Sequence, residues 1–517
     1  MATAALAAEG ADESSSSSSS DSNSSAWSVL RDPPGSGSTV VGATLNFANS
    51  TVGAGAIGLG GAIAASGGLV SVFSIVAFGI LTKLSLDLLI DLTVRTTGVT
   101  HGTYEDLGRL AFGGAGRLSV LVSKALYSFG CLVAYVVVVR DNFGEGMRHI
   151  IYRDGDGDGH GSGGHMPWQE QFLEREELLT VLLSVLVILP LCLLRDMASL
   201  SRLSALSILA MAAIAVIVIV LYVLNPEGEV RLEGGTVYEN WVQVHPVNLL
   251  RSLGTFVFTY VSQHTAHLAF ESMDGPVRTV KNWRRVSLYS ITIAMSVSLS
   301  VGVFVYMTFW QKTQSDIFQI YPPDLVSIDV ARLSLCITML LTFPLPFFTC
   351  REMIVLVIND CFGKDQQGTE EMRAALLSEE FGGDLEEETS FFDAAGVEGG
   401  YTAEVEGGEG EEERRNLHST PKRPWLISGE ERQLLLPYHV ALTVLVWLAA
   451  VLLAIGAPNL GDVLNLVGCA TGTVIAFILP SLFSFQLLGY THLAAAILVI
   501  GGAVGAVGTY FSIANIL

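Results

Sequence analysis

From Val40 onward the chain alternates long apolar runs with short polar joints, and each run approaches the roughly 20 residues that cross a bilayer at about 1.5 Å of rise per residue. The runs lie at Val40 to Ala65, Leu69 to Val94, Leu118 to Val139, Leu178 to Leu194, Leu203 to Leu224 and Leu249 to Phe270. Five more follow at Val286 to Trp310, Val330 to Ile358, Tyr438 to Ile455, Val463 to Leu487 and Leu493 to Ile513. Lipid offers backbone groups no hydrogen-bond partner, so each span is expected to be helical. A barrel would show short alternating strands instead. The pattern predicts an all-α polytopic membrane protein of about eleven transmembrane helices.

Half of the residues are apolar and only 15% are charged, yet the formal net charge is −22, so the acid must lie outside the spans. Residues 1–39, with a serine run from Ser14 to Ser20, are expected to be a disordered cytoplasmic tail with no signal peptide, the first span doubling as the targeting signal. Residues 40–358 hold helices one to eight and residues 437–517 hold nine to eleven. Between them residues 359–436, rich in Glu, Gly and Asp, are expected to be a disordered, regulatory cytoplasmic loop. Glu430 with Leu434-Leu435 has the spacing of an acidic dileucine sorting signal for endosomes, lysosomes or a vacuole, a pattern short enough to arise by chance. Cys131, Cys192, Cys336, Cys350, Cys361 and Cys469 fall in or beside spans, and no structural disulfide is expected.

Orientation follows from basic residues in short loops. With the N-terminus cytoplasmic, the inner loops carry Arg95, Arg109 and Arg117, then Arg195 and Arg202, then Arg278, Lys281, Arg284 and Arg285. The outer loops carry Arg140, Arg148, Arg153 and Arg175 in one, and Arg231 and Lys312 in the next two, so the bias is modest. An odd number of spans leaves the C-terminus outside or luminal. Asp154, Asp156, Asp158 and Gly159 imitate the opening of an EF-hand, but the twelfth position is His165 rather than a bidentate Glu, and a flexible acidic loop is the better reading.

The candidate chemistry sits inside the spans. Transporters build substrate sites near the midplane from helices that break, because a break frees N–H and C=O groups. In the first span Asn49, Ser50, Thr51, Gly53, Ala54 and Gly55 place amide, hydroxyls and glycines at mid-membrane, and freed N–H groups at the start of a second half-helix suit a carboxylate. Close helix packing through small residues is the rival reading of the same glycines. The sixth span carries the polar interruption Ser262-Gln263-His264-Thr265, five spans on, the separation expected of two five-helix inverted repeats. His264 is also a candidate proton carrier, and interhelical hydrogen bonding is the rival reading of Gln263 and His264. In the eighth span Thr338, Thr342, Pro344, Pro346 and Thr349 offer hydroxyls and freed carbonyls of the kind a sodium ion takes, although buried Thr more often bonds back to its own helix. Lys83 and Asp87, four apart, are expected to pair, and Lys124 is expected beside the site if, as in such an architecture, the third and eighth spans flank it. No nucleophile motif, His-Glu-x-x-His pattern or phosphate loop is present, so an enzyme is not expected.

Several motifs together resemble the sodium-coupled neutral amino acid transporters of the amino acid/auxin permease superfamily over nearly all spans. They are Thr44 to Leu59, Thr103-Tyr104-Glu105-Asp106-Leu107, Leu189-Pro190-Leu191-Cys192-Leu193-Leu194-Arg195, Ala331 through Pro344 to Arg351-Glu352, and Gly468 through Pro480-Ser481. Arg351-Glu352 and His264 look most like the transporter 11 branch. The resemblance implies the leucine-transporter fold, a 5+5 inverted repeat plus one C-terminal helix, and a neutral amino acid as substrate. It also implies a sodium site carried over to Asn49 and Thr342. The substrate backbone would lie between Ser50 to Gly55 and Ser262 to Thr265. Ala54 stands where many relatives have Ser, which removes a hydroxyl available to the carboxylate. The superfamily also includes proton-coupled vacuolar members, so sodium and protons are both open as coupling ions, with His264 and Lys124 the candidates for protons. The expected mechanism is alternating access without cofactor or nucleic acid, at the plasma membrane or an endolysosomal or vacuolar membrane. An amino acid sensor signalling through its tails is the rival class, and a channel fits poorly because no ring of charge or repeated filter is present.

Overall fold

A computed structural model describes residues 38–97, 102–152, 175–193, 204–224, 230–232, 234–322, 325–362 and 434–516. The serine tail, most of the acidic insertion including Glu430, the EF-hand-like loop, and Arg195 and Arg202 lie outside the described residues.

The described residues form helices α1 (Val40–Thr51), α2 (Ala54–Ser66), α3 (Gly68–Thr97), α4 (Tyr104–Tyr152), α5 (Glu176–Leu193), α6 (Ser204–Leu224), α7 (Pro246–Phe258) and α8 (Gln263–Glu271). The order continues with α9 (Val280–Phe309), α10 (Val326–Thr342), α11 (Pro344–Phe362), α12 (Leu436–Gly456), α13 (Leu460–Leu488) and α14 (His492–Ile516). Nine helical segments among them, α10 with α11 counted as one, are long and apolar enough to cross a membrane, and α1 with α2, bent by 54°, makes a tenth. The remaining apolar run, the sixth, is divided into α7 and α8, of 13 and 9 residues, each too short to cross alone.

The termini follow from local chemistry. Thr39 caps α1 by accepting from Gly42 N, Thr279 caps α9 by accepting from Asn282 N, and Pro246 opens α7 where its missing N–H costs nothing. The third span starts 14 residues before the apolar run does, at Tyr104, because the chain folds back at Phe112 and Gly113, where Gly113 has φ +62°. The two arms of that fold touch so closely that a Cβ on Gly116 would lie 2.0 Å from Gly108 O.

Packing sorts the spans into two sets. The seventh span, α9, lies along α1, α2, α3 and α6, whereas the third, α4, lies along α10, α11, α12 and α13. The broken sixth span bridges them, α7 against α2 and α13, α8 against α1, α3 and α4. Contact between α7 and α13 is backbone to backbone: a Cβ on Gly254 would lie 2.0 Å from Asn465 O, and one on Gly468 2.0 Å from Gly254 O. Such close approach is how membrane helices associate where lipid supplies no hydrophobic drive. All six cysteines are free. Lys83 and Asp87 pair on α3, where Asp87 also accepts from Ser287 Oγ of α9 at 2.7 Å.

Candidate functional site

The first span breaks at Val52 and Gly53, both in extended conformation, between Thr51 and Ala54. Gly53, Ala54 and Gly55 therefore present the N-terminal N–H groups of the 13-residue α2. Both readings of the glycines are realised at once. Gly53 makes the break, while Gly55 and Gly58 make close contacts: a Cβ on Gly55 would lie 2.7 Å from Thr259 Cα, and one on Gly58 2.3 Å from Leu464 Cδ1.

The break in the sixth span lies earlier than the polar residues suggest. Thr259 to Ser262 leave the helix, and Gln263, His264 and Thr265 form the first turn of α8. The reason is that helical N–H groups left open at a break are best met by polar side chains in the turn that follows, so the polar cluster marks the restart rather than the gap. Gln263 Oε1 accepts from Ser262 N at 3.1 Å, and Tyr127 of α4 donates to Val261 O at 3.2 Å inside the gap.

The two breaks meet. Ser50 Oγ and Thr265 Oγ1 are 3.2 Å apart, and Gly55 rests on Thr259. Around them several buried polar atoms have no partner: Asn49 Oδ1, Gln263 Nε2, His264 Nδ1 and Tyr260 Oη. Leaving a buried polar atom unpaired costs about 1–3 kcal/mol, and four such atoms belong to residues in or beside the two breaks, an arrangement suited to a polar occupant. Thr51 Oγ1 instead donates to Phe47 O at 2.9 Å, within its own helix.

Of the eighth-span residues, Thr342 donates back to Thr338 O at 2.8 Å and Thr349 to Leu345 O at 3.3 Å, the ordinary behaviour of a buried hydroxyl. The oxygen lone pairs of Thr342 are left free to accept. No described hydrogen bond joins Thr342 to Asn49.

Lys124 is not free. Its ammonium meets Glu105 Oε2 at 3.0 Å, and the two side chains are 10% and 5% exposed. The fold-back at Gly113 brings Glu105 to it from 19 residues away. Tyr104, beside Glu105, stacks on His267 with ring centres 5.7 Å apart, and His267 Nε2 lies 2.9 Å from Thr93 Oγ1. His264, one turn earlier, sits 5.2 Å from the ring of Tyr127.

Sequence reasoning missed Glu105 as a partner, His267, Tyr127, Tyr135 and Asn465. Tyr135 faces the first break, its hydroxyl 3.5 Å from where a Gly53 Cβ would stand, and Asn465 Oδ1 accepts from both Thr255 N and Oγ1 at 2.8 Å. A signal existed for the α4 residues: Lys124, Tyr127, Cys131 and Tyr135 are spaced three, four and four apart, one face of a helix.

A family model described as transmembrane amino acid transporter protein matches residues 36–514. Vacuolar amino acid transporter 5 of Saccharomyces cerevisiae is 26% identical over 373 residues, 71% of this chain and 71% of that protein. Vacuolar amino acid transporter 2 of the same yeast is 28% identical over 62% of each chain. A Bos taurus protein named "Putative sodium-coupled neutral amino acid transporter 11" is 25% identical over 61% of this chain and 63% of its own. The chain thus spans less than two thirds of the length of the last two. A solved Na+-coupled sialic acid symporter aligns over 91% of this chain and 87% of its own, with 10% identity and a TM-score of 0.43.

Proposed function

Because the chain belongs to the transmembrane amino acid transporter family, we propose that it moves small neutral amino acids by alternating access, coupled to sodium or to protons. The observation that carries this reading is the meeting of the two helix breaks through Ser50 and Thr265. The substrate carboxylate faces the N–H groups of Gly53, Ala54 and Gly55, and its ammonium faces the carbonyl and hydroxyl oxygens of the gap from Thr259 to Ser262 and of Thr265. Asn49 Oδ1, buried and unpartnered, is the ligand available to sodium, with the Thr342 hydroxyl oxygen as its second donor. For protons, the unpartnered His264 Nδ1 is the available group, whereas Lys124 is already held in a buried ion pair with Glu105. Binding biases the two-state equilibrium only through different affinity for the two states, so ion and substrate are coupled by the geometry they share at the break. The relatives named vacuolar transporters support an endolysosomal or vacuolar membrane.

The test is amino acid uptake into liposomes holding the purified protein, under a sodium gradient, a proton gradient or neither. Sodium-driven uptake that falls at least about tenfold in Asn49→Ala supports the sodium site. Proton-driven uptake indifferent to Asn49 moves the coupling to His264 and Lys124. Binding without uptake under any gradient overturns transport in favour of a sensor.

A further inference from the structure

The loop between α9 and α10 covers the end of the bundle where α2 terminates. A Cβ on Gly61 of α2 would lie 2.6 Å from Gln314 O, and one on Gly60 would lie 3.0 Å from Ile317 Cγ2. Asp316 anchors this loop. It caps the short helical turn Ile317–Ile320 by accepting from Phe318 N at 3.0 Å, and it accepts from Asn142 Nδ2 of α4. Arg332 of α10 completes the attachment by donating to Phe318 O at 2.5 Å. Asp316, Asn142 and Arg332 are 1%, 0% and 2% exposed. Asn142 Oδ1, on the same amide that donates to Asp316, is buried and has no partner, so an unused acceptor belongs to the residue that holds the carboxyl.

The charges facing this point come from several elements. On α4, Asp141 pairs with Arg140 at 2.7 Å, and Glu145 and His149 follow on the same helix. On α10, Arg332 meets Glu145 at 3.0 Å and Asp329 at 3.6 Å, Asp329 meets His149 at 3.0 Å, and the Cys336 thiol lies nearby. Glu176 opens α5. Asp462 on α13 is taken up by Asn459 and Asn515, α2 carries no charge, and Lys312 of the loop itself is exposed. Acid outnumbers base, and burial together with Asp141 raises Asp316 to about 6.

We propose that Asp316 is a proton-binding site whose occupancy latches the loop onto α2 and α4, closing that end of the pathway when a proton is taken up there. The coupling of this latch to substrate movement rests on the transport reading above; the latch itself does not. Lifting the loop hydrates Asp316 and returns it to an ordinary carboxylate, near 3.9 by roughly the model-peptide value. The closed state therefore binds the proton more tightly. Closure is favoured as pH falls through about 6 toward about 4, and the closed-to-open ratio is level above and below that window. The gap between the two values limits the change to about 100-fold.

The experiment is a distance measurement by pulsed electron resonance on the full chain in nanodiscs, with spin labels at Gln319→Cys on the loop and Leu453→Cys on α12, both exposed, in a Cys361→Ser background. Arg140 holds α12 to α4 through Ala454 O at 2.7 Å, so this pair reports the loop against a fixed scaffold. The shorter-distance population is expected to grow at least about tenfold relative to the longer one between about pH 7.5 and about pH 4.5. Asp316→Asn should abolish that response and Glu145→Gln should keep it. A wild-type distribution indifferent to pH overturns the proposal, as does an unchanged response in Asp316→Asn, and the wild-type titration decides even if that variant does not fold. Because the distances need no flux, a pH-dependent latch in a protein that shows no uptake upholds the latch and removes only the transport reading.

Discussion

Lys124 illustrates how a single residue can be visible in a sequence while its partner is not. An ammonium within an apolar run is anomalous on inspection, but Glu105 reaches it only because Gly113 turns the chain back, and no periodicity reports a contact made across a turn. Removing one member of a buried pair leaves an uncompensated charge, so Glu105→Gln or Lys124→Met alone is expected to cost about 3–5 kcal/mol, whereas the double variant recovers most of it. Thermal unfolding of the four proteins in detergent, analysed as a double-mutant cycle, measures this. Equal additive losses would show that the two side chains act independently. Gly254 makes a simpler case, since any side chain there meets the Asn465 carbonyl. Gly254→Ala is expected to lose about 1–3 kcal/mol by overpacking, read as a fall in the yield of monodisperse protein and in its unfolding temperature.

Elements were legible where the apolar period is long and uninterrupted, and less so where a helix breaks. The first break was readable because Gly53 stands among amides and hydroxyls, and the structure puts it there. The sixth was displaced by three residues because Thr259, Tyr260 and Val261 look like continuing helix; in the gap Val261 O, released from the helix, accepts from Tyr127 of another span. If the half-helices α1 and α8 separate during the cycle, pinning them should stop it. Ser50→Cys with Thr265→Cys, whose parent oxygens are 3.2 Å apart, is predicted to lose at least about nine tenths of uptake on oxidation and to regain it with reductant. Uptake unaffected by a cross-link verified by mass spectrometry would mean that α1 and α8 move as one body.

At the scale of the molecule, arginines tie spans whose apolar faces alone give no fixed register. Arg351 of α11 donates to Cys192 O at 2.9 Å and to Thr443 Oγ1 at 3.0 Å, joining the fourth, eighth and ninth spans, and it lies over the ring of Phe348 at 4.9 Å. Both bonds leave Nη1 while the planar guanidinium lies over Phe348, a combination an ammonium does not reproduce, so Arg351→Lys is predicted to destabilise by about 2–3 kcal/mol despite keeping its charge, checked by thermal unfolding beside Arg95→Lys on the exposed end of α3 as a control. The sequence by itself determined that the chain is all-helical and membrane-spanning, with the first and sixth apolar runs interrupted, because the bilayer imposes a length and a polarity that each span must meet locally. Only the tertiary structure decided that the two interruptions touch, that Lys124 is neutralised by Glu105, and that Asp316 is buried beneath its loop. These depend on which helix faces which, a choice made by glycine contacts and buried hydrogen bonds between residues far apart in the chain, and no local pattern encodes it.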